Sequence, residues 1–505
     1  MRKAGPSLRI RIPPSTEPRP FVEPSIIELE PRPMSTESIT QRLDAVVATL
    51  QKHEQEHLTR GLESVTADEL ESFIEQAESI DFEEVSSLAS SGGSAVGIPA
   101  DLEPAPVVPR HPEDEETFRS AGEELIRRGE IAAFTVAGGQ GTRLGWNGPK
   151  GTFPATPITG KPLFRVFAEQ LNAIDERFGI ETPWYLMTSP LNDAATRAFF
   201  QDNNHFGRSP ESMLLFPQGV MPAVDDNGRI LLEAPGVIAV SPDGHGGSLR
   251  ALARSGALDH AASRGVKHLS YFQVDNPTVH AVDPLFVGLH ATHPASSREM
   301  SSKMVPKISA EEKVGVFCRV GGRTQVIEYS DLPADHANAT NEDGSLRFIA
   351  GSIAIHILAI DFIARLTSAD SDTVMPFHHA RKKVPFWNPD DGTTVTPTEP
   401  NGTKFEMFVF DALEFVEKGL VYETDRVEEF APIKNAEGGD SAESSGRLQT
   451  ERSARWMEAA GSKIARNDDG TVNGRIEVTA ATALCAADLA GRSCPEFNPG
   501  SDLVF

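Results

Sequence analysis

A chain of 505 residues can bury a large core and hold more than one domain. Its hydrophobic share of 39% is that of a soluble protein, and no apolar run is long enough to span a bilayer. A formal net charge of −26 argues against general nucleic-acid binding, so a site for anionic ligands has to be a local basic island. Cys318, Cys485 and Cys494 form no metal-ligand spacing, and such scarcity fits a reducing compartment. Met1-Arg-Lys-Ala-Gly-Pro6 has no apolar stretch behind it, unlike a secretory signal. A cytoplasmic protein is the expectation.

Residues 1–38 are proline-rich and aperiodic, which predicts a flexible tail. Residues 39–85 are acidic and helical in pattern, with Leu43, Val46, Val47 and Leu50 on one face. Residues 86–110, rich in Ser, Gly, Ala and Pro, read as a linker, so 39–110 form a helical N-terminal extension with its linker. A charged helix over 113–128 leads into a strand, Ile131–Val136. An amphipathic helix over 162–178 carries Leu163, Val166, Phe167, Leu171 and Ile174 on one stripe. Strands follow at Trp184–Thr188, 214–216 and 268–274, and a helix at 247–255 stops at Gly256. Ser189-Pro190 reads as an N-cap with proline at the first helical position. This alternation predicts a doubly wound, mostly parallel α/β sheet, whose ligands sit beyond the carboxyl ends of its strands. The main domain is expected over 111–436, and a small C-terminal α+β region over 437–505.

The loop after the first strand, Ala137-Gly-Gly-Gln-Gly-Thr-Arg-Leu-Gly-Trp-Asn-Gly-Pro-Lys150, is the strongest functional signal. Gly138, Gly139 and Gly141 let backbone N–H groups approach an anion, and Arg143 and Lys150 add positive charge. A Walker A loop is excluded because no Gly-Lys-Ser/Thr follows. A dinucleotide fingerprint fails as well, since Leu144 stands where its third glycine belongs. Lys303, Lys307, Arg381, Lys382, Lys383 and Lys434 are further candidates for the basic island. His378-His379, His290 and His293 have no convincing carboxylate or cysteine companion, so packing or hydrogen bonding is favoured over metal binding.

Gly-x-Gly-Thr-Arg followed by Pro-Lys resembles the nucleotidyltransferases that make nucleoside-diphosphate sugars. Further segments occur in one order: Pro217-Gln-Gly-Val-Met-Pro-Ala223, Ser241-Pro-Asp-Gly-His-Gly-Gly247, Phe272-Gln-Val-Asp-Asn276, Val326-Ile-Glu-Tyr-Ser330, Ile349-Ala-Gly-Ser-Ile-Ala-Ile-His356 and Pro432-Ile-Lys-Asn-Ala436. Together they look like the UDP-N-acetylhexosamine pyrophosphorylases and their relatives in the type 1 UDP-sugar pyrophosphorylase family, over about residues 110–440. The resemblance implies a nucleotide-diphospho-sugar transferase fold of the GT-A-like, Rossmann type. It also implies transfer of a uridylyl group from UTP to a sugar 1-phosphate with Mg²⁺ as cofactor. N-acetylglucosamine 1-phosphate is the first expectation for the acceptor, with glucose 1-phosphate or a broad acceptor range as the alternative. Carried onto this sequence, the family pattern implies that Arg143, Lys150 and Lys434 handle the phosphates. Asp275 holds the metal, and Ala137, Gly138, Gly139, Gln218 and Gly244 bind UTP. His245, Glu328, Tyr329 and Ser352 face the sugar. Retention of Arg143, Lys150, Asp275 and Lys434 together favours an enzyme over a non-catalytic UDP-sugar-binding relative or an interaction protein built on its N-terminus.

Two departures fall on the sugar side. His245 and Ser352 stand where the N-acetylglucosamine enzymes have asparagine, and Gly-His-Gly resembles the UDP-glucose branch. A site that hydrogen-bonds its substrate discriminates through those bonds, so a changed donor pattern predicts a less strict sugar pocket.

Overall fold

A computed structural model describes residues 38–91, 101–368 and 375–505. The tail expected at 1–38 lies outside the described residues, apart from Ser38, which caps the first helix.

Ten strands form the central sheet. They are β1 (Glu103–Pro104), β2 (Ile131–Val136), β3 (Trp184–Thr188), β4 (Met213–Pro217), β5 (His268–Gln273), β6 (Met300–Pro306), β7 (Val316–Val320), β8 (Arg323–Ile327), β9 (Ala350–Ala359) and β10 (Leu420–Glu423). β4, β3, β2 and β5 lie side by side in that order, all parallel. β9 then runs antiparallel to β5 and carries β6 and β7, each antiparallel to it. β10 pairs parallel with β6, while β8 and β1 pair antiparallel with β7. The sheet is therefore mixed, and only β1, β8 and β9 among its strands run against the common direction.

The helix Leu163–Phe178 crosses from β2 to β3, and Asp193–Asp202 from β3 to β4. After β4 the chain returns past β2 to lay down β5 on its other side. The order of the strands reverses at β2, so the β2–β5 boundary is the switch point where such sheets take ligands. Alternation along the strands sends side chains to two cores. Ile131, Ala133, Trp184 and Leu186 join a cluster with Leu163, Phe167 and Leu171, whereas Ala132, Phe134, Tyr185 and Met187 join one with Leu249, Leu252 and Ala261. Both faces are covered by helices, which is what lets these parallel strands be apolar throughout.

The helices Ile39–Lys52, Ala67–Ser79 and Phe82–Ser91 pack through Val46, Leu50, Phe73 and Ile74 against Met221, Val224, Ile230 and Phe405. The expected linker is shorter than its composition predicts. Helix Phe82–Ser91 runs into it, and Glu103–Pro104 joins the sheet edge, where a proline costs no ladder bond. Ser189-Pro190 is also a correction. The helix begins at Asp193 with Asn192 as its cap, because the Asn192 amide folds back onto the Ser189 N–H and makes a turn there instead. In the C-terminal region the helix Ala442–Ala459 packs on a two-stranded parallel sheet, Gly474–Glu477 with Ser501–Val504.

Candidate active site

The loop that leaves β2 is shaped by its own backbone. Lys150 N–H donates to Gly139 O at 3.1 Å and Gly141 N–H to Gly148 O at 2.9 Å, folding the loop back on itself. Asn192, 1% exposed, donates its amide to Ala137 O at 3.0 Å and Gly139 O at 3.3 Å and so fixes the loop from the next crossover. Gly138 lies flat against the Gln218 amide. A Cβ there would stand 3.0 Å from the Gln218 side chain. Gln218 itself is 9% exposed, and its amide makes no hydrogen bond to protein among the described residues. An amide kept without a protein partner in a mostly buried residue is free to offer both a donor and an acceptor, which is what a uracil edge would satisfy.

Asp275 follows β5 directly, on the other side of the switch point. Lys150 Nζ reaches Asp275 Oδ2 at 3.3 Å across 125 residues of sequence, with side-chain exposures of 16% and 12%. A third segment joins them, because Ile433 N–H donates to Asp275 O at 2.8 Å and brings Lys434 alongside. Lys434 remains 40% exposed, 5.6 Å from the centre of the Phe430 ring and 3.9 Å from Asp440. Arg143 is exposed and makes no ion pair among the described residues. Arg143 thus stays unpaired, and Lys434 is held only by a long, half-exposed pair with Asp440. A single carboxylate such as Asp275 fits Mg²⁺, which keeps most of its shell for water and substrate phosphates.

Not all of the expected basic island is available. Lys303 is wholly buried, 2.6 Å from Asp283 and 2.5 Å from Glu429. Burial opposes charge on all three groups, yet their attraction outweighs it: Asp283 falls to about 2 and Lys303 moves up. His280, Asp283 and Glu429 have the spacing of a metal site, but the Lys303 ammonium bonds to both of its carboxylates. Lys307 is buried and donates to Ala310 O, while Arg381 pairs with Asp226 on an outer hairpin whose Lys382 and Lys383 are exposed.

The expected sugar residues come together around a second cluster, with one exception. Gly244 has φ +82°, and a Cβ there would stand 2.4 Å from Met407 O, so this turn requires glycine. Beside it the His245 ring packs against both Phe408 and Phe410, with centroids 5.3 and 5.6 Å away. Val409 N–H donates to His245 Nδ1 at 3.2 Å. Burial, aided by His378, pushes the His245 pKa down to about 4, so the ring is neutral and its one free polar group is Nε2–H. Ser352 on β9 donates its N–H to Gly315 O at 2.8 Å, and a Cβ on Gly315 would stand 3.2 Å from Glu328 Oε1. Tyr329 is the exception at 47% exposed.

His378 and Asp411 were not expected here. Their side chains meet at 2.8 Å beneath Phe408, whose ring lies 4.4 Å from the imidazole. Burial lowers the His378 pKa, but the hydrogen bond and charge of Asp411, with Asp331 and Glu328 beyond, outweigh it and the net shift is upward. Glu328 is pushed up by burial, then by Asp331 and Asp411. His378 is thus a hydrogen-bonding residue and His379 a packing one, edge-on to Phe405, while His290 bonds Ser301 and His268. Asn192, Phe408 and Asp411 carry no motif that sequence reading could seize, since each acts through a contact distant in sequence.

The family model for UTP–glucose-1-phosphate uridylyltransferase matches residues 108–475. The chain is similar to UDP-N-acetylglucosamine diphosphorylase 1 of Arabidopsis thaliana, at 34% identity over 83% of this chain and 84% of that protein. With UDP-N-acetylglucosamine pyrophosphorylase of Saccharomyces cerevisiae it shares 37% identity over 69% of this chain and 74% of the relative. The crystal structure of uridine diphosphate N-acetylglucosamine pyrophosphorylase from Trypanosoma brucei has the same fold, with a TM-score of 0.77 at 24% identity over 94% of this chain and 99% of that one. The match runs from the strand edge before the glycine loop through both clusters to the C-terminal sheet, and on it the chain belongs to the UTP–glucose-1-phosphate uridylyltransferase family.

Proposed function

We propose that the protein is a UTP:N-acetylglucosamine-1-phosphate uridylyltransferase. A phosphate oxygen of the sugar 1-phosphate bonds to the α-phosphorus of UTP. The bond from that phosphorus to the bridging oxygen breaks, and the electron pair leaves with pyrophosphate. The products are UDP-N-acetylglucosamine and pyrophosphate. The observation that carries this reading is the meeting of Lys150, Asp275 and the Ile433-Lys434 segment at the switch point of the sheet. Its 4-3-2-5 parallel order supports a GT-A-like, Rossmann-type description.

Phosphoryl-type transfer needs alignment and charge neutralisation more than a covalent partner, and the chain's residues suit that. The Ala137–Gly141 backbone cradles phosphate, and the Gln218 amide reads uracil beside Gly138 and Gly244. Lys150 and Arg143 offset charge on the leaving pyrophosphate, and Lys434 comes to the phosphates from the other side. Asp275 would hold Mg²⁺, which when bound neutralises phosphate oxygens. On the acceptor side, Glu328 and Ser352 offer polar atoms to the sugar, with the His245, Phe408 and Phe410 rings as its wall. The names of the relatives, and their identity over most of both chains, favour N-acetylglucosamine 1-phosphate as acceptor. Pyrophosphate release from UTP and Mg²⁺ with a panel of sugar 1-phosphates tests this. Release with N-acetylglucosamine 1-phosphate is expected, and its absence with every sugar would refute the assignment.

A further inference from the structure

The helix Ala442–Ala459 lies outside the proposed chemistry, yet its inner face is not the apolar stripe that packing alone would need. Ser445, Gln449 and Arg452 recur at i, i+4 and i+7, so they share one side of the helix. Between them they donate to main-chain carbonyls of three segments, although Arg452 Nε is buried with no partner among the described residues. Gln449 Nε2 donates to Ala155 O at 2.8 Å, five residues after Lys150. Arg452 donates to Thr278 O at 2.9 Å, three residues after Asp275, and to Glu428 O at 3.2 Å. Ser445 Oγ donates to Ala431 O at 2.6 Å, three residues before Lys434, and itself accepts from Gln449 at 3.2 Å. Ser445 and Gln449 are 1% and 7% exposed. The helix starts at Ala442, just after Asp440, whose carbonyl accepts from Lys434 N–H at 2.6 Å.

We infer that Ser445, Gln449 and Arg452 are positioning residues: a bracket that sets the segments carrying Lys150, Asp275 and Lys434 relative to one another. Burying polar side chains is costly unless each is bonded, and an apolar stripe would dock the helix at less risk. What the polar stripe adds is register. Directional bonds to three backbones fix where each segment lies along the helix, whereas apolar contact would let them slide. Transfer chemistry is sensitive to such placement, because small displacements of aligned groups lower the rate steeply.

This rests on the uridylyltransferase reading, and the test separates the two. Full-length Gln449→Leu and Arg452→Met, with the milder Ser445→Ala and the conservative Arg452→Lys, are compared with the parent by hydrogen exchange and by pyrophosphate release. Exchange is expected to quicken about tenfold or more near residues 155–159 in Gln449→Leu, and near 278–281 and 428–434 in Arg452→Met, while strands β2–β5 keep their protection. In the same variants kcat should fall about tenfold or more with KM for UTP within about threefold, and Arg452→Lys should regain much of the loss. Exchange in these segments identical to the parent overturns the bracket, whether or not the parent transfers uridylyl groups. So does a kcat that stays at the parental value in an active protein. A parent inactive with every sugar refutes the functional reading alone, since the exchange data still decide the bracket.

Discussion

The phosphate side and the sugar side of the site are built by different means. On the phosphate side the groups emerge from loops at the ends of parallel strands β2 and β5, and most of what they present is backbone and fixed charge. On the proposed sugar side His245, Glu328, Ser352, His378 and Asp411 come from five separated stretches of chain; the His245 and His378 rings lie against Phe408, and Glu328 feels the charge of Asp411. On the proposed reading the first arrangement would be indifferent to what the acceptor carries, and the second would be a set of substitutable readers. Changes on the phosphate side should therefore lower turnover with every acceptor alike, while changes on the sugar side should alter the ratio between acceptors.

Lys150→Ala is the strongest test of that division. Removing one preorganised charge contact should cost roughly 3–4 kcal/mol of transition-state stabilisation, or about 10²–10³ in kcat. The fall should be equal for N-acetylglucosamine 1-phosphate and glucose 1-phosphate, with the fold intact by circular dichroism. Near-parental kcat, or a loss confined to one sugar, would break the comparison. Lys150→Arg should also be impaired, because a forked guanidinium is no substitute for a point charge. Asp275→Asn should lose activity as well. Its Mg²⁺ titration should shift to higher concentration, and an unchanged titration would remove Asp275 as the ligand.

The same division explains what could be read from the sequence. Strands β2 and β3 and the helix over 163–178 were legible because local periodicity and turn residues decide them. The glycine loop stood out because it follows at once after a strand, whereas the roles given to Lys150 and Asp275 leaned on resemblance to a family. β6 to β9 were not seen as a mixed half of the sheet, since antiparallel pairing such as β9 on β5 is set by contacts almost a hundred residues apart. Lys303 looked like a surface cation, and nothing local announces that Asp283 and Glu429 close around it. Asn192 carries no local signal, yet its amide pins the glycine loop.

Between the two sides lies Asp243, 3% exposed, with one carboxylate oxygen unpartnered among the described residues. Burial pushes its pKa up to about 6, against the opposing charges of Arg250 and Arg254. A carboxyl with a raised folded pKa binds its proton more tightly when folded. Its contribution to stability is therefore undiminished below the unfolded value near 4 and is lost as pH rises to about 6. At neutral pH the ionised group costs the folded state about 2–3 kcal/mol. Asp243→Asn should raise the Tm at about pH 7 and lose that advantage as the pH falls through 6 towards 4. A gain independent of pH would show that the carboxylate is satisfied in solution. Because the bonds of Asp243 run between its own backbone and that of Gly219 and Met407, the variant should leave the acceptor ratio unchanged.

The smallest expected effect belongs to the sugar side alone. His245 has given its acceptor to Val409 and keeps one donor, and Ser352 is shorter than the asparagine it replaces. Two amides would offer more donors and acceptors to an N-acetyl group than these side chains do. The parent should therefore turn over both N-acetylglucosamine 1-phosphate and glucose 1-phosphate, with the first preferred. Restoring asparagine at both positions should move the kcat/KM ratio further towards the N-acetylated sugar. One recovered hydrogen bond is worth about 1 kcal/mol, or roughly fivefold in that ratio. His245→Asn also removes a ring from the Phe408–Phe410 stack, so Ser352→Asn alone is the cleaner arm and should show the shift without lost stability. kcat with the preferred sugar should stay near parental, because neither position touches the phosphates. A ratio unmoved in the double variant would mean that acceptor choice rests with Glu328 and the His378–Asp411 pair, and His378→Gln would then be the variant that shifts it.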